Sequence, residues 1–181
     1  GQNCQDGELH HPFDVAADSS GSIYVVEQSG GNGPGHRLQK FDSNGNFVWS
    51  AGGLGTGNGQ LKTPQGVTVD NSGSVYVADT ENGRIQKFSA ESGAWISKFG
   101  SMPSTNGCFN PVLPYAIEFG PDGNLWVGVG NGCTIPWTGN NWNGVALIQK
   151  YSTSGSLVSS FGQYGGYSSL DASGVHSETP D

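Results

Sequence analysis

Two carboxylate–guanidinium pairs stand at matching places in this sequence, Glu27 with Arg37 and Asp79 with Arg84. Such a pair can bind a ligand, or can tie two strands together across the loop that joins them. A third copy of the surrounding pattern carries Val129 and Leu147 at the equivalent positions. Both charges vanish together and an apolar pair replaces them, as expected of partners that touch, so the pairs are read as structural. Other chemistry-bearing types are sparse. Cys4, Cys108 and Cys133 have no CxxC or metal-ligand spacing, and the imidazoles are His10, His11, His36 and His176. Trp137 and Trp142 lie beside Asn140 and Asn141, where aromatic faces flanked by amides can stack on sugar rings or anchor a protein partner. The alternative is that they fold back as the small core of a long loop. Tyr115, Trp137, Trp142, Asn140 and Asn141 are the candidate binding residues. No catalytic residue, metal or cofactor is expected, because no convergent set of such groups is visible.

The elements that must position these residues are short strands. Glycine accounts for 31 of 181 residues, more than twice the usual share of about 7%. Charged residues make up 12%, against a usual value of about 25%. Tryptophan, tyrosine, phenylalanine, valine and isoleucine recur in short runs between the glycines, the pattern of many strands joined by tight turns. The net charge is −8, with seven Lys plus Arg spread along the chain. That leaves no basic stripe to displace counterions from phosphates, which excludes nucleic acid as a partner and disfavours an anionic membrane surface. No run approaches the roughly 18 apolar residues of a membrane span, so no membrane insertion is expected.

The strands repeat. Pro12, Pro64 and Pro114 are spaced 52 and 50 residues apart, and each is followed nine residues later by Gly21, Gly73 or Gly123. Between them run FDVAADSS, QGVTVDNS and YAIEFGPD, and after them SIYVVE, SVYVAD and NLWVGV. A third strand follows as RLQKF (37–41), RIQKF (84–88) and LIQKY (147–151). A turn at Gly45, Gly93 or Gly155 then leads into a fourth strand ending at Gly52, Gly100 or Gly162. Four strands per unit, hairpin turns at fixed offsets and a period near 50 describe the blades of a β-propeller. The fold is therefore predicted to be all-β, with three four-stranded antiparallel blades: about 12–52, about 64–100 and about 114–162. Residues 163–181 read as the lead-in to a further blade.

The stretch GQLKTPQGVTVDNSGSVYVADTENGRIQKFSAESGAWISKFG (59–100) resembles an NHL repeat, and the other two copies resemble it with longer loops. The resemblance implies part of a mainly six-bladed propeller, a fold that hosts lyases, RNA-binding modules, sensors and scaffolds. In the peptide-amidating lyases of this class, histidines just after the blade-opening prolines hold a metal. Here those positions are Phe13, Gln65 and Tyr115, so that centre is not expected in these blades. His10 and His11 fall one step early and read as a solvated loop. Asp14 and Glu118 are polar members of first strands that can face the central channel.

In a four-stranded blade the loop between strands two and three lies on the face of the inter-blade connections. Cys108 lies in such a connection and Cys133 in the inserted loop of the same blade, so a Cys108–Cys133 disulfide is expected; free buried thiols are the alternative. With the low charge, this points to an extracellular or secreted protein. Gly7-Glu8-Leu9 before Pro12 and Gly59-Gln60-Leu61 before Pro64 share a Gly-x-Leu-x-x-Pro lead-in, and Gly174 to Pro180 reads as another. Three blades do not close a ring, so the expected partners are additional blades, from a longer parent chain or from a second copy, and the break inside a lead-in favours the longer parent. The expected function is a non-catalytic scaffold or recognition module for protein or glycan. A fragment of a propeller lyase or lactonase is the alternative.

Overall fold

The structure is a computed structural model that describes residues 5–28, 35–100, 113–131 and 145–164. It is built of three four-stranded antiparallel sheets, each with its strands in chain order. The first blade comprises β1 (Pro12–Ala17), β2 (Ile23–Glu27), β3 (Arg37–Phe41) and β4 (Phe47–Gly52). The second comprises β5 (Pro64–Val69), β6 (Ser74–Asp79), β7 (Arg84–Ser89) and β8 (Trp95–Phe99), with a short 3-10 turn at Thr80–Asn82. The third comprises β9 (Leu113–Phe119), β10 (Leu125–Asn131), β11 (Val145–Tyr151) and β12 (Leu157–Tyr164). The fourth strand of the third blade runs past Gly162, because Val145 pairs with Tyr164 and extends the ladder.

The hairpins form where the repeat placed glycine. Gly21, Gly45, Gly73, Gly93, Gly123 and Gly155 all have φ between 71° and 89°, a conformation that costs glycine no Cβ clash. In the first two blades an aspartate also braces the β1–β2 and β5–β6 turns. Asp18 Oδ1 accepts from the backbone N–H groups of Ser20 and Ser22 at 2.9 and 3.0 Å, and Asp18 Oδ2 accepts from the Tyr24 hydroxyl at 2.9 Å. Asp70 does the same for Ser72, Ser74 and the Tyr76 hydroxyl. The third blade departs from this by a paired change: Gly120 stands for the aspartate and Trp126 for the tyrosine. A Cβ on residue 120 would lie 2.4 Å from Trp126 Nε1, so the indole occupies the space a side chain would need.

Alternation gives each blade two faces, a rear face and a forward face turned to the next blade. The forward face of the first blade (Ala16, Tyr24, Val26, Leu38, Trp49, Ala51) packs on the rear face of the second (Val67, Val75, Val77, Phe88), with Leu61 of the lead-in between them. The forward face of the second (Tyr76, Ala78, Ile85, Phe99) packs in the same way on Ile117, Leu125, Val127, Leu147 and Tyr151 of the third. A lysine lies over the ring at the heart of each forward face: Lys40 over Tyr24 at 5.3 Å, Lys87 over Tyr76 at 4.9 Å and Lys150 over Trp126 at 5.1 Å. Each is a cation–π contact that also lets the lysine stem cover apolar surface.

First strands approach one another closely. Asp14 Oδ2 accepts from the Val67 N–H at 2.9 Å, which joins β1 to β5. At the equivalent place in the second blade, Gly66 lets β9 come so near that an added Cβ would lie 2.6 Å from the Tyr115 carbonyl oxygen. Asp14 is thus a bond between blades.

Candidate functional site

The paired charges hold the blade lead-ins. Arg37 Nε donates to Glu27 Oε1 at 2.8 Å, and Arg84 Nε donates to Asp79 Oδ2 at 2.7 Å. Both carboxylates are closed to solvent. The guanidinium N–H groups left over reach the lead-in: Arg37 Nη2 donates to the carbonyls of Gln5 and Glu8, and Arg84 to those of Thr56, Gly57 and Gln60. The second acid oxygen takes a lead-in N–H, from His10 to Glu27 Oε2 and from Lys62 to Asp79 Oδ1, both at 2.6 Å.

Gln39 and Gln86 complete these clamps, and nothing in the sequence reading singled them out. The Gln39 side chain donates to Glu8 O and Glu27 Oε1 and accepts from Gly7 N; Gln86 donates to Gln60 O and Asp79 Oδ2 and accepts from Gly59 N. The available signal was the Arg-x-Gln that β3 and β7 share. In the third blade Leu147 and Val129 are apolar and buried, and Gln149 accepts from the Tyr151 hydroxyl at 3.0 Å instead.

His36 was also missed, because it sits in a loop whose length differs between blades. It is buried at φ 63°, and its Nδ1 accepts from the Thr63 N–H at 2.8 Å, tying the β2–β3 loop to the second lead-in. His10 and His11 lie in the first lead-in; His11 O accepts from Gln28 N, and His10 Nε2 is 3.6 Å from Glu8 Oε2. Glu81 N donates to Lys62 O and Asn82 Nδ2 to Gly55 O, so the turn after β6 lies against its lead-in.

The residues after the blade-opening prolines occupy a distinctive place. The β1–β2 register passes from Pro12 to Asp14, the β5–β6 register from Pro64 to Gly66, and the β9–β10 register from Pro114 to Ala116. Phe13, Gln65 and Tyr115 are therefore each the extra residue of a β-bulge, a feature that re-aims a side chain out of the ladder. All three line one cleft of about 610 Å³, together with Asp14, Glu118 and Trp126. Phe13 and Tyr115 are exposed there. Asp14 is engaged, its Oδ1 accepting from Val15 N and its Oδ2 from Val67 N. Glu118 Oε1 accepts from the Phe119 N–H at 3.2 Å. Aromatic faces, an amide and a phenol make this cleft suited to stacking and hydrogen bonding.

Among the described residues, no group of three or more His, Cys, Asp or Glu could hold a metal ion. Cys4, Cys108, Cys133, Trp137, Asn140, Asn141, Trp142 and His176 lie outside the described residues. No helix among the described residues is long and apolar enough to cross a membrane.

Three four-stranded antiparallel blades packed face to face through repeated first strands define a β-propeller protein. Residues 61–88 match the NHL repeat family. The chain is 34% identical over 120 residues to NHL repeat-containing protein 3 of Homo sapiens, covering 66% of this chain and 32% of that protein. It is 32% identical over 121 residues to peptidyl-glycine alpha-amidating monooxygenase A of Xenopus laevis, covering 64% of this chain and 12% of that protein. The solved structure of BamB from Moraxella catarrhalis is similar in fold, with a TM-score of 0.50 and 14% identity over 82% of this chain and 36% of that one. The chain spans about a third of the length of NHL repeat-containing protein 3 and about an eighth of the monooxygenase.

Proposed function

We propose that this chain is a non-catalytic recognition module of an extracellular protein, binding protein or glycan through the face that carries its inter-blade loops. One observation carries the reading: the bulged residues Phe13 and Tyr115 present exposed rings around a cleft whose adjoining carboxylate, Asp14, is engaged by two backbone N–H groups. Such a surface favours adhesion to rings and apolar groups over proton transfer. The proposal also counts Trp137, Trp142, Asn140 and Asn141, which lie outside the described residues, among the binding residues. Screening the chain against immobilised glycans and titrating each hit by calorimetry tests the reading. Tyr115→Ala and the double variant Trp137→Ala/Trp142→Ala are expected to lose at least about tenfold in affinity. The reading fails if the chain turns over a lactone or peptidyl substrate with a rate abolished by chelation and untouched by these variants.

The likeness to an amidating monooxygenase supports a second reading, a propeller enzyme whose site is completed by other blades. Phe13, Gln65 and Tyr115 stand where the resembled lyases place metal-binding histidines, so the catalytic groups would come from outside these three blades.

A further inference from the structure

We infer that the hydrogen bond between His36 and Thr63 is an acid-released latch between the first two blades: it holds while the imidazole is neutral and opens when the ring takes up a proton. Among the described residues, the non-glycine residues with positive φ are His11, His36 and Thr63. His36 at 63° and Thr63 at 50° face each other through one bond, in which the Thr63 N–H donates to His36 Nδ1 at 2.8 Å. A β-branched residue such as threonine takes this conformation only where its surroundings hold it. The bond also fixes the protonation state of the ring. A nitrogen that accepts carries no hydrogen, so the proton of the neutral imidazole sits on Nε2. A second proton has only Nδ1 to go to, and there it sets an N–H against the N–H of Thr63.

The joint is built so that the ring is the part that responds. His36 is buried, and its carbonyl is held by the Gly53 N–H at 3.0 Å. Gly52 admits this close approach, since a Cβ there would lie 2.9 Å from His36 O and 3.0 Å from Leu61 Cδ1. On the other side, Lys62 N donates to Asp79 Oδ1 at 2.6 Å and Pro64 pairs with Asp79 in the ladder, so Thr63 stands between two anchored neighbours. The charged groups at this joint come from three elements. Arg37 opens β3 and is spent on Glu27, Asp6 and the first lead-in. Lys62 belongs to the second lead-in and Glu81 to the 3-10 turn, with Lys62 Nζ 3.2 Å from Glu81 Oε2. Hydrogen bonds from the Thr63 and Lys62 side chains hold the Glu81 carboxyl below its usual range against burial, and the charges of Lys62 and His36 add to that. The attraction is mutual, so Glu81 in turn favours the imidazolium. On protonation the ring thus loses Thr63 and gains Glu81, which makes the opening local to Thr63 and leaves global unfolding little changed.

Nitrogen and amide NMR of the isotope-labelled chain from about pH 8 to about pH 5, the range in which an ordinary imidazole titrates, tests the proposal. At the upper end the His36 nitrogen shifts should show Nδ1 bare and Nε2 protonated. Protection of the Thr63 amide, corrected for the intrinsic pH dependence of exchange, should fall at least about tenfold across the range. His36→Gln keeps a side-chain oxygen that accepts from Thr63 at every pH, so the fall should vanish. Glu81→Gln should keep the fall but move its midpoint to lower pH. His10→Gln and His11→Gln, which remove the imidazoles of the first lead-in, should leave it untouched. A Thr63 amide whose protection does not change with pH, a His36 ring that carries its proton on Nδ1 at about pH 8, or a fall that persists in His36→Gln would each overturn the latch. The first two are read on the wild-type chain, so they decide the matter even where a variant fails to fold.

Discussion

Arg84 and Asp79 meet at 2.7 Å in a place closed to water, and the same arginine grips the carbonyls of Thr56, Gly57 and Gln60. The ion pair is thus the hub of a joint: strand two supplies the acid, strand three the base, and the chain arriving from the previous blade supplies the remaining acceptors and a donor. A guanidinium suits this role because its five N–H groups point in fixed directions and can serve several acceptors at once.

Removing one member leaves a buried charge unpaired. Asp79→Ala is expected to cost about 3–5 kcal/mol. The double variant Asp79→Val/Arg84→Leu, which copies Val129 and Leu147 of the third blade, should cost clearly less than the sum of its two single variants. Urea unfolding of all four proteins measures the coupling; additivity of the two single changes would show that the pair acts as two independent groups.

The turn of the third blade supplies a second test. Gly120→Ala should destabilise by roughly 1–3 kcal/mol, because the new methyl meets the Trp126 indole at 2.4 Å. The double variant Gly120→Asp/Trp126→Tyr should recover most of that loss by rebuilding the Asp–tyrosine hydroxyl bond of the other blades. Thermal melts of the three proteins compare them, and a double variant weaker than Gly120→Ala would refute the exchange.

How legible this was depends on what repetition can reveal. Offsets among Pro12, Pro64 and Pro114 and the turn glycines mark twelve strands, because alternation and positive-φ turns have residue-type signatures. The pairing of Glu27 with Arg37 was legible through its joint loss in the third copy. The role of Gln39 and Gln86 was not, since they bind backbone carbonyls, which every residue has. His36 belongs to a loop without a repeat counterpart, so no comparison could isolate it. The bulges at Phe13, Gln65 and Tyr115 arise from register, a property of two strands that no single strand's pattern displays.

Acid should weaken the fold through its turn aspartates. Burial pushes the Asp18 carboxyl up, but hydrogen bonds from the Ser20 and Tyr24 hydroxyls and the Ser22 and Ser20 N–H groups outweigh it and hold its pKa at about 2. Asp70 is lowered in the same way, against burial, by Ser72, Ser74 and Tyr76. A carboxylate depressed in the folded state contributes stability that is complete above its unfolded pKa, near 3.8, and is lost as pH falls through the folded value. Stability should therefore hold down to about pH 4 and decline toward pH 2. Asp18→Asn should flatten that acid limb in urea titrations at several pH values; an unchanged limb would count against the assignment.

Gly66 tests whether spacing between blades is set by backbone contact. An alanine there places its methyl 2.6 Å from the Tyr115 carbonyl oxygen and 3.3 Å from the Ile117 nitrogen, atoms of a neighbouring strand that cannot swing aside. Relief requires β5 and β9 to separate, which opens the cluster around Tyr76, Ile117 and Val127. Gly66→Ala should thus cost about 2–3 kcal/mol despite adding one apolar methyl. Gly73→Ala is the control, since nothing lies near its Cβ and its cost comes only from the positive φ of 83°. Hydrogen exchange separates the two: Gly66→Ala should speed exchange on both strands of the joint, whereas Gly73→Ala should act within its own hairpin. Equal and local effects from both would mean that the blades are spaced by their side chains alone.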